Sequence, residues 1–159
     1  MIVRLENLAD IRSQHKDKKI VLTSGTFDLL HVGHLRYLDA VKSLGSIVVV
    51  LLSGDDRVKA RKGPQRPIIP QDDRAQMLDA LKVVDYVFID PATAPPDQID
   101  PVHATIVATL QPDVYATDGV DIRFSNIMDA SKLIIVPRSE GDGHASTSAI
   151  IAHIASLKR

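Results

Sequence analysis

Thr23-Ser24-Gly25-Thr26-Phe27-Asp28-Leu29-Leu30-His31-Val32-Gly33-His34 is the stretch on which the reading of this chain turns. The apolar run Ile20-Val21-Leu22 leads into it as a buried strand. Gly25 stands where that strand ends and the backbone must turn. Beyond the stretch, Leu35, Leu38, Val41 and Leu44, with Ala40 beside them, make the buried stripe of a helix. Two histidines therefore fall at the mouth of a helix that begins directly after a strand. A helix start presents unpaired N–H groups and the positive end of a dipole, which suits a phosphate. His31 and His34 are three apart, so both rings project from one side of the first turn. Gly33 between them has no Cβ and lets a ligand come close to the backbone.

Working outward, residues 4–14 carry Leu5, Leu8 and Ile11 at helical spacing, and a charged connector through residue 19 follows. On the other side, Gly45-Ser46 ends the long helix and Ile47-Val48-Val49-Val50-Leu51-Leu52 is the second strand. Its apolar run does not alternate, so both faces are buried, as in a parallel sheet covered by helices. Strand, helix and strand within about 30 residues make a right-handed βαβ unit. The segment from Val58 to Pro70 follows. Counting from Arg57 to Arg66 it offers five basic side chains, and its three prolines are expected to keep it out of regular structure. Alone it reads as a solvated loop; beside a phosphate site its cations close over the charge. A helix starts at Gln71-Asp72-Asp73-Arg74, with Met77, Leu78, Leu81 and Val84 on its apolar side, and Asp85-Tyr86-Val87-Phe88-Ile89 is the third strand.

Asp90 to Asp97 reads as a proline-rich surface link with no chemistry. A helix over residues 98–110 aligns Ile99, Val102, Ile106 and Leu110, and carries His103 as a surface or packing residue. Residues 112–116 form the fourth strand, opening into Thr117-Asp118-Gly119; Arg123 and Asn126 lie on a short helix that faces the site or turns from it. Leu133-Ile134-Ile135-Val136 is the fifth strand. The last helix has Ile150, Ile151 and Ile154 on one side and starts at Ser146-Thr147-Ser148. Capping explains one of those hydroxyls; three in a row also suit phosphate oxygens. Five parallel-type strands with intervening helices give a three-layer, Rossmann-like doubly wound α/β domain spanning residues 1–159, with residues 1–18 as an N-terminal helix and linker.

Composition narrows the function. A net charge of −1 gives no basic field for nucleic acid, and there are no cysteines, which excludes disulfides and thiolate chemistry. With no tryptophan and only three Phe and three Tyr, base-stacking platforms are not expected. No apolar run approaches the ~20 residues of a membrane span, and the charged start, Arg4 and Glu6 included, is unlike a signal peptide. A cytoplasmic location is the expectation.

The run Gly25-Thr26-Phe27-Asp28-Leu29-Leu30-His31-Val32-Gly33-His34 resembles the signature of the cytidylyltransferase-like nucleotidyltransferases. Members transfer a nucleoside monophosphate from a nucleoside triphosphate to a phosphorylated or similar acceptor and release pyrophosphate. The resemblance implies a strand order of 3-2-1-4-5, with the site at the switch between strands 1 and 4. It also implies His31 and His34 as ring N–H donors to the α-phosphate and leaving group, and Lys59 as mobile positive charge, with Lys62 as a second candidate. Gly25, Thr26, Phe27, Gly33, Arg74 and Asp118 are expected at the nucleotide. So are Arg138, Ser146, Thr147 and Ser148, from a run similar to the family's second signature but lengthened by Asp142 to Ala145. Arg74 has an alternative role as a brace for a loop carboxylate. A helix start disfavours the charged imidazole and bound phosphates favour it. Mg²⁺ is implied by the triphosphate, without a protein cage of its own, and a homodimer is a family expectation.

The segments Lys18-Lys19-Ile20-Val21 and Lys62-Gly63…Arg66-Pro67 are similar to heptose-1-phosphate adenylyltransferases, which implies ATP and a sugar phosphate. Thr26 and Pro137-Arg138-Ser139-Glu140-Gly141 are closer to CTP-dependent glycerol-3-phosphate cytidylyltransferases. Archaeal FAD synthetases share much of the Lys62–Arg74 region. A nucleotide-binding regulator without turnover is the reading from another class. Ala116-Thr117-Asp118-Gly119 departs from the lysine and paired glycines usual in the heptose enzymes, which leaves the acceptor open.

Overall fold

The computed structural model describes residues 1–93, 100–119, 123–137 and 146–157. Its strands are β1 (Ile2–Val3), β2 (Ile20–Gly25), β3 (Ile47–Leu52), β4 (Tyr86–Ile89), β5 (Val114–Thr117) and β6 (Leu133–Ile135). They form one sheet in the order β1-β4-β3-β2-β5-β6, and every neighbouring pair is parallel. The helices are α1 (Leu8–Gln14), α2 (Val32–Lys42), α3 (Asp55–Lys62), α4 (Gln71–Asp79), α5 (Pro101–Leu110) and α6 (Thr147–Ser156).

Alternate residues of each strand serve two cores, which is what an all-parallel sheet demands. On one face Ile20, Leu22, Val49 and Leu51 pack with Leu8 and Ile11 of α1 and Ile106 and Leu110 of α5. On the other, Val21, Val48, Val50 and Leu52 pack with Leu38 and Val41 of α2 and Ala75 and Leu78 of α4. The chain moves from β2 to β3 to β4 in one direction and then crosses to β5 on the far side of β2. That reversal opens a crevice at the carboxyl ends of β2 and β5, the usual ligand position in such sheets.

The doubly wound fold and the relative order of the five expected strands hold, and a sixth strand is added. Ile2 and Val3 pair with Val87 and Phe88 at the sheet edge, where the terminal ammonium also reaches Asp79 and the Asp85 carbonyl. A two-residue strand has no periodicity to read. The stripe of α2 is also shifted. Leu35 is exposed and Tyr37 is buried in its place, because the helix starts at Val32 and turns Tyr37, Leu38 and Val41 to the sheet. The basic segment expected to be irregular is helical up to Lys62; its prolines come only after Gly63, whose φ of 94 ends α3. In α5, Asp100 caps the helix through the Val102 N–H, so it starts at Pro101 rather than at 98.

Candidate active site

The turn after β2 is shaped by three contacts from distant segments. Phe27 folds back over Gly25, where a Cβ would lie 2.6 Å from the ring. Phe27 and Leu29 then adopt φ of 48 and 47, a left-handed backbone that costs such residues about 1–2 kcal/mol each. Arg74 Nη1 donates to the Thr26 carbonyl at 2.6 Å, and Thr147 Oγ1 donates to the Asp28 carbonyl at 2.7 Å. The Asp28 carboxylate, 1 % exposed, accepts from Arg66 Nε at 2.8 Å and from the N–H groups of Ile68 and Ile69 at 3.0 Å. Burial would push the Asp28 carboxyl up. The backbone bonds from Ile68 and Ile69 and the Arg66 guanidinium outweigh it and hold its pKa below the ordinary value.

His31 caps α2 with its own ring: Nδ1 accepts from the Gly33 N–H at 3.1 Å. That N–H is therefore already engaged at the helix start. With Nδ1 an acceptor, the ring proton sits on Nε2, which becomes the donor. His34 stacks on His31, with ring centroids 3.9 Å apart and 27° between planes, and its other neighbour is Phe27 at 5.3 Å. The two imidazoles are thus held as a stack by the motif's own aromatic residue.

These groups line a cleft of about 380 Å³. Ser24 to Asp28 line it, together with His31, Gly33, His34 and Tyr37. Arg61, Lys62 and Arg66 form the basic wall, and Asp118 with Ser146, Thr147 and Ser148 completes it. The structure thus brings together Gly25, Thr26, Phe27, His31, Gly33, His34, Asp118, Ser146, Thr147 and Ser148. Ser146 is the α6 cap, accepting from the Ala149 N–H at 3.1 Å. Thr147→Val is expected to cost about 1 kcal/mol by releasing the Asp28 carbonyl, read as a shift in denaturant midpoint.

Two expected residues lie elsewhere. Lys59 points outward from α3, half exposed, and pairs with Asp56 at 3.2 Å. Arg74 is 1 % exposed and outside the cleft. Besides Thr26 it donates to the carbonyls of Ile69 and Ser53 and pairs with Asp55 at 2.7 Å, which makes it the brace, not a cleft residue. Arg138 and the stretch from Asp142 to Ala145 lie outside the described residues, as does the Arg123 side chain; Asn126 is exposed and away from the cleft. Sequence reading missed Arg61, whose Nη2 donates to Thr26 Oγ1 at 2.7 Å, and it missed that Asp28 ties the basic segment to the motif. Asp90 is buried rather than on a surface link, held by the ring of His103, itself buried.

Paired imidazoles at one helix start, hydroxyls at another and cations, gathered in one cleft of a doubly wound sheet, are groups suited to phosphate. The family model described as cytidylyltransferase-like matches residues 22–157. The chain belongs to this family of nucleotidyltransferases. It is 37% identical over 154 residues to the "Bifunctional protein HldE" of Campylobacter concisus, covering 97% of this chain and 31% of that protein. Against the Helicobacter pylori (strain HPAG1) protein of the same name it is 37% identical over 153 residues. The chain thus spans about a third of the length of these relatives, 31% in both cases. Among solved structures, a lipopolysaccharide core biosynthesis protein from Thermoplasma volcanium GSS1 is similar at a TM-score of 0.57 and 27% identity, covering 79% of this chain and 99% of that one. A pantoate-beta-alanine ligase from Francisella tularensis shares the fold at a TM-score of 0.62 and 17% identity, covering 96% of this chain and 72% of that one. No helix among the described residues is long and apolar enough to cross a membrane.

Proposed function

We propose that the chain is an adenylyltransferase acting on a sugar phosphate of the heptose 1-phosphate kind. The observation that carries the reading is convergence: His31 and His34 share one cleft with Ser146, Thr147 and Ser148, more than 100 residues further along the chain. The likeness of Lys18-Lys19-Ile20-Val21 and Lys62-Gly63…Arg66-Pro67 to heptose-1-phosphate adenylyltransferases supports ATP and a sugar phosphate over the CTP alternative.

A phosphate acceptor is already ionised at neutral pH, so the reaction needs positioning and charge stabilisation more than a general base. An acceptor oxygen attacks the α-phosphorus in line, the bond from that phosphorus to the β-bridging oxygen breaks, and pyrophosphate leaves with the electron pair. His31 Nε2–H and the His34 ring meet the charge that moves onto the α-phosphate and the bridging oxygen. Arg61 and Lys62, which line the same cleft, neutralise the leaving group. Lys59 joins them by giving up its solvent-screened pair with Asp56. The α6 start, with Thr147 and Ser148 beside it, takes further phosphate oxygens. Among the described residues no three His, Cys, Asp or Glu gather as ion ligands. Mg²⁺ entering with the triphosphate would neutralise charge on the phosphoryl oxygens.

The test is pyrophosphate release with ATP, CTP, GTP and UTP against sugar 1-phosphates, glycerol 3-phosphate and FMN. Release with ATP and a sugar 1-phosphate is the expected result. Release with CTP and glycerol 3-phosphate, or with ATP and FMN, replaces the substrate assignment. Tight nucleotide binding with no release from any acceptor replaces the enzyme by a regulator.

A further inference from the structure

α3 has little to dock with. Six of its eight residues are charged, and Val58 is the one apolar residue it buries. Helices ordinarily gain their tertiary stability from an apolar face; this one is held by ion pairs. Asp55 at its start meets the buried Arg74 at 2.7 Å. Arg57 lies next, its side chain 6% exposed, with Nε 3.9 Å from Asp90 Oδ2. The Asp90 side chain is fully buried and held from two further directions. The Ala92 N–H donates to Oδ1 at 3.0 Å, and His103 Nε2 lies 3.2 and 3.1 Å from the two oxygens. Facing a carboxylate, His103 Nε2 carries its proton and donates it. The His103 ring is in turn packed on Phe124 at 5.3 Å.

None of Arg57, Asp90 and His103 lines the cleft. Yet one helical turn beyond Arg57, at the other end of the same short helix, Arg61 reaches the Thr26 hydroxyl and Lys62 enters the basic wall. A buried ion pair is a poor device for stability alone, since well-packed apolar residues hold a helix as well or better. What it adds is a defined seat: a guanidinium over one carboxylate, and a carboxylate fixed by an imidazole and a backbone N–H. A rigid eight-residue helix carries that placement to its far end.

We propose that Arg57, seated on the Asp90–His103 pair, is a positioning residue that sets where Arg61 meets the phosphates of the triphosphate. This rests on the reading of the cleft as a triphosphate site. The measurement is calorimetric titration of the full chain with nonhydrolysable ATP and CTP analogues and Mg²⁺, on proteins whose folding is checked by thermal melting. Arg61→Ala is expected to weaken binding about 10- to 100-fold, the worth of a hydrogen bond to a charged group. Arg57→Met is expected to weaken it about 3- to 10-fold in the natural chain and less than about 2-fold when Arg61→Ala is already present, since the two act as one unit. Asp90→Asn keeps an acceptor for His103 and removes the charge beneath Arg57; it is expected to reproduce the Arg57→Met loss, and it serves if Arg57→Met does not fold. Losses that multiply in the double substitution, or unchanged affinity in both folded variants, overturn the proposal while leaving the triphosphate site intact. A natural chain with no affinity for either analogue overturns the site reading, and this inference falls with it.

Discussion

Replacing His34 with alanine is expected to lower turnover about 10²–10³-fold, the usual cost of removing one aimed donor from a site where charge develops. The structure gives two reasons for an effect at the upper end. His34 faces the cleft itself, and its ring is the platform on which His31 stacks at 3.9 Å. Its loss therefore removes one donor and the stacking face that steadies the second, which keeps its bond to the Gly33 N–H. The fold has no such dependence. The core of this face is built from Leu38, Val41, Val48, Val50 and Leu52, and the α2 cap is supplied by His31. Circular dichroism and the melting temperature are expected to stay close to those of the natural chain while saturating pyrophosphate release collapses. Turnover like that of the natural protein would remove the imidazoles from the chemistry and leave a phosphate-binding fold without an assigned catalyst.

The features legible in the sequence are those fixed by local pattern. The apolar run Ile20-Val21-Leu22 and the unalternating run Ile47–Leu52 fall in the central strands, and the glycine-led turn with two histidines at helical spacing falls at the start of α2. The three hydroxyls fall at the start of α6. The features not legible depend on where a helix begins, or on partners far away in the chain. Whether Lys59, Arg61 or Lys62 faces the cleft follows from the rotation of α3, which starts after Gly54 and stops at Gly63. Moving that start by one residue would turn each side chain by about 100° and exchange their roles. For Arg74 the sequence leaves two roles open, a nucleotide contact or a brace on a loop carboxylate, and the pair with Asp55 makes it the brace. It is buried because three carbonyls from three segments, at Thr26, Ser53 and Ile69, converge on its guanidinium. No spacing rule encodes a convergence of that kind. Asp28 was visible as a letter of the motif, but its partners are about 40 residues away.

Those partners make Asp28→Asn the second large effect. At neutral pH the substitution is expected to cost about 2–4 kcal/mol, because it leaves the Arg66 guanidinium without its carboxylate and replaces one acceptor oxygen by a donor. The charge is the larger part of that cost, and it gives the effect a pH signature. The folded carboxyl titrates below its ordinary value of about 3.9. Its contribution is therefore complete above that value and lost as pH falls through the depressed one. The stability gap between the natural chain and Asp28→Asn is expected to be constant from pH 7 to about pH 5 and to narrow below about pH 4, as read by denaturant midpoints across that range. A gap that stays the same at pH 3 would mean that amide and carboxylate differ here in shape and not in charge. Activity is expected to fall with stability at neutral pH. Arg66 lines the cleft, and Ile68 and Ile69 hold the segment that carries it against the imidazole turn through this one carboxylate. Restoring the melting temperature with a stabilising osmolyte should then recover the fold without recovering turnover, because the osmolyte favours the compact state and does not rebuild the bond between the basic wall and the motif.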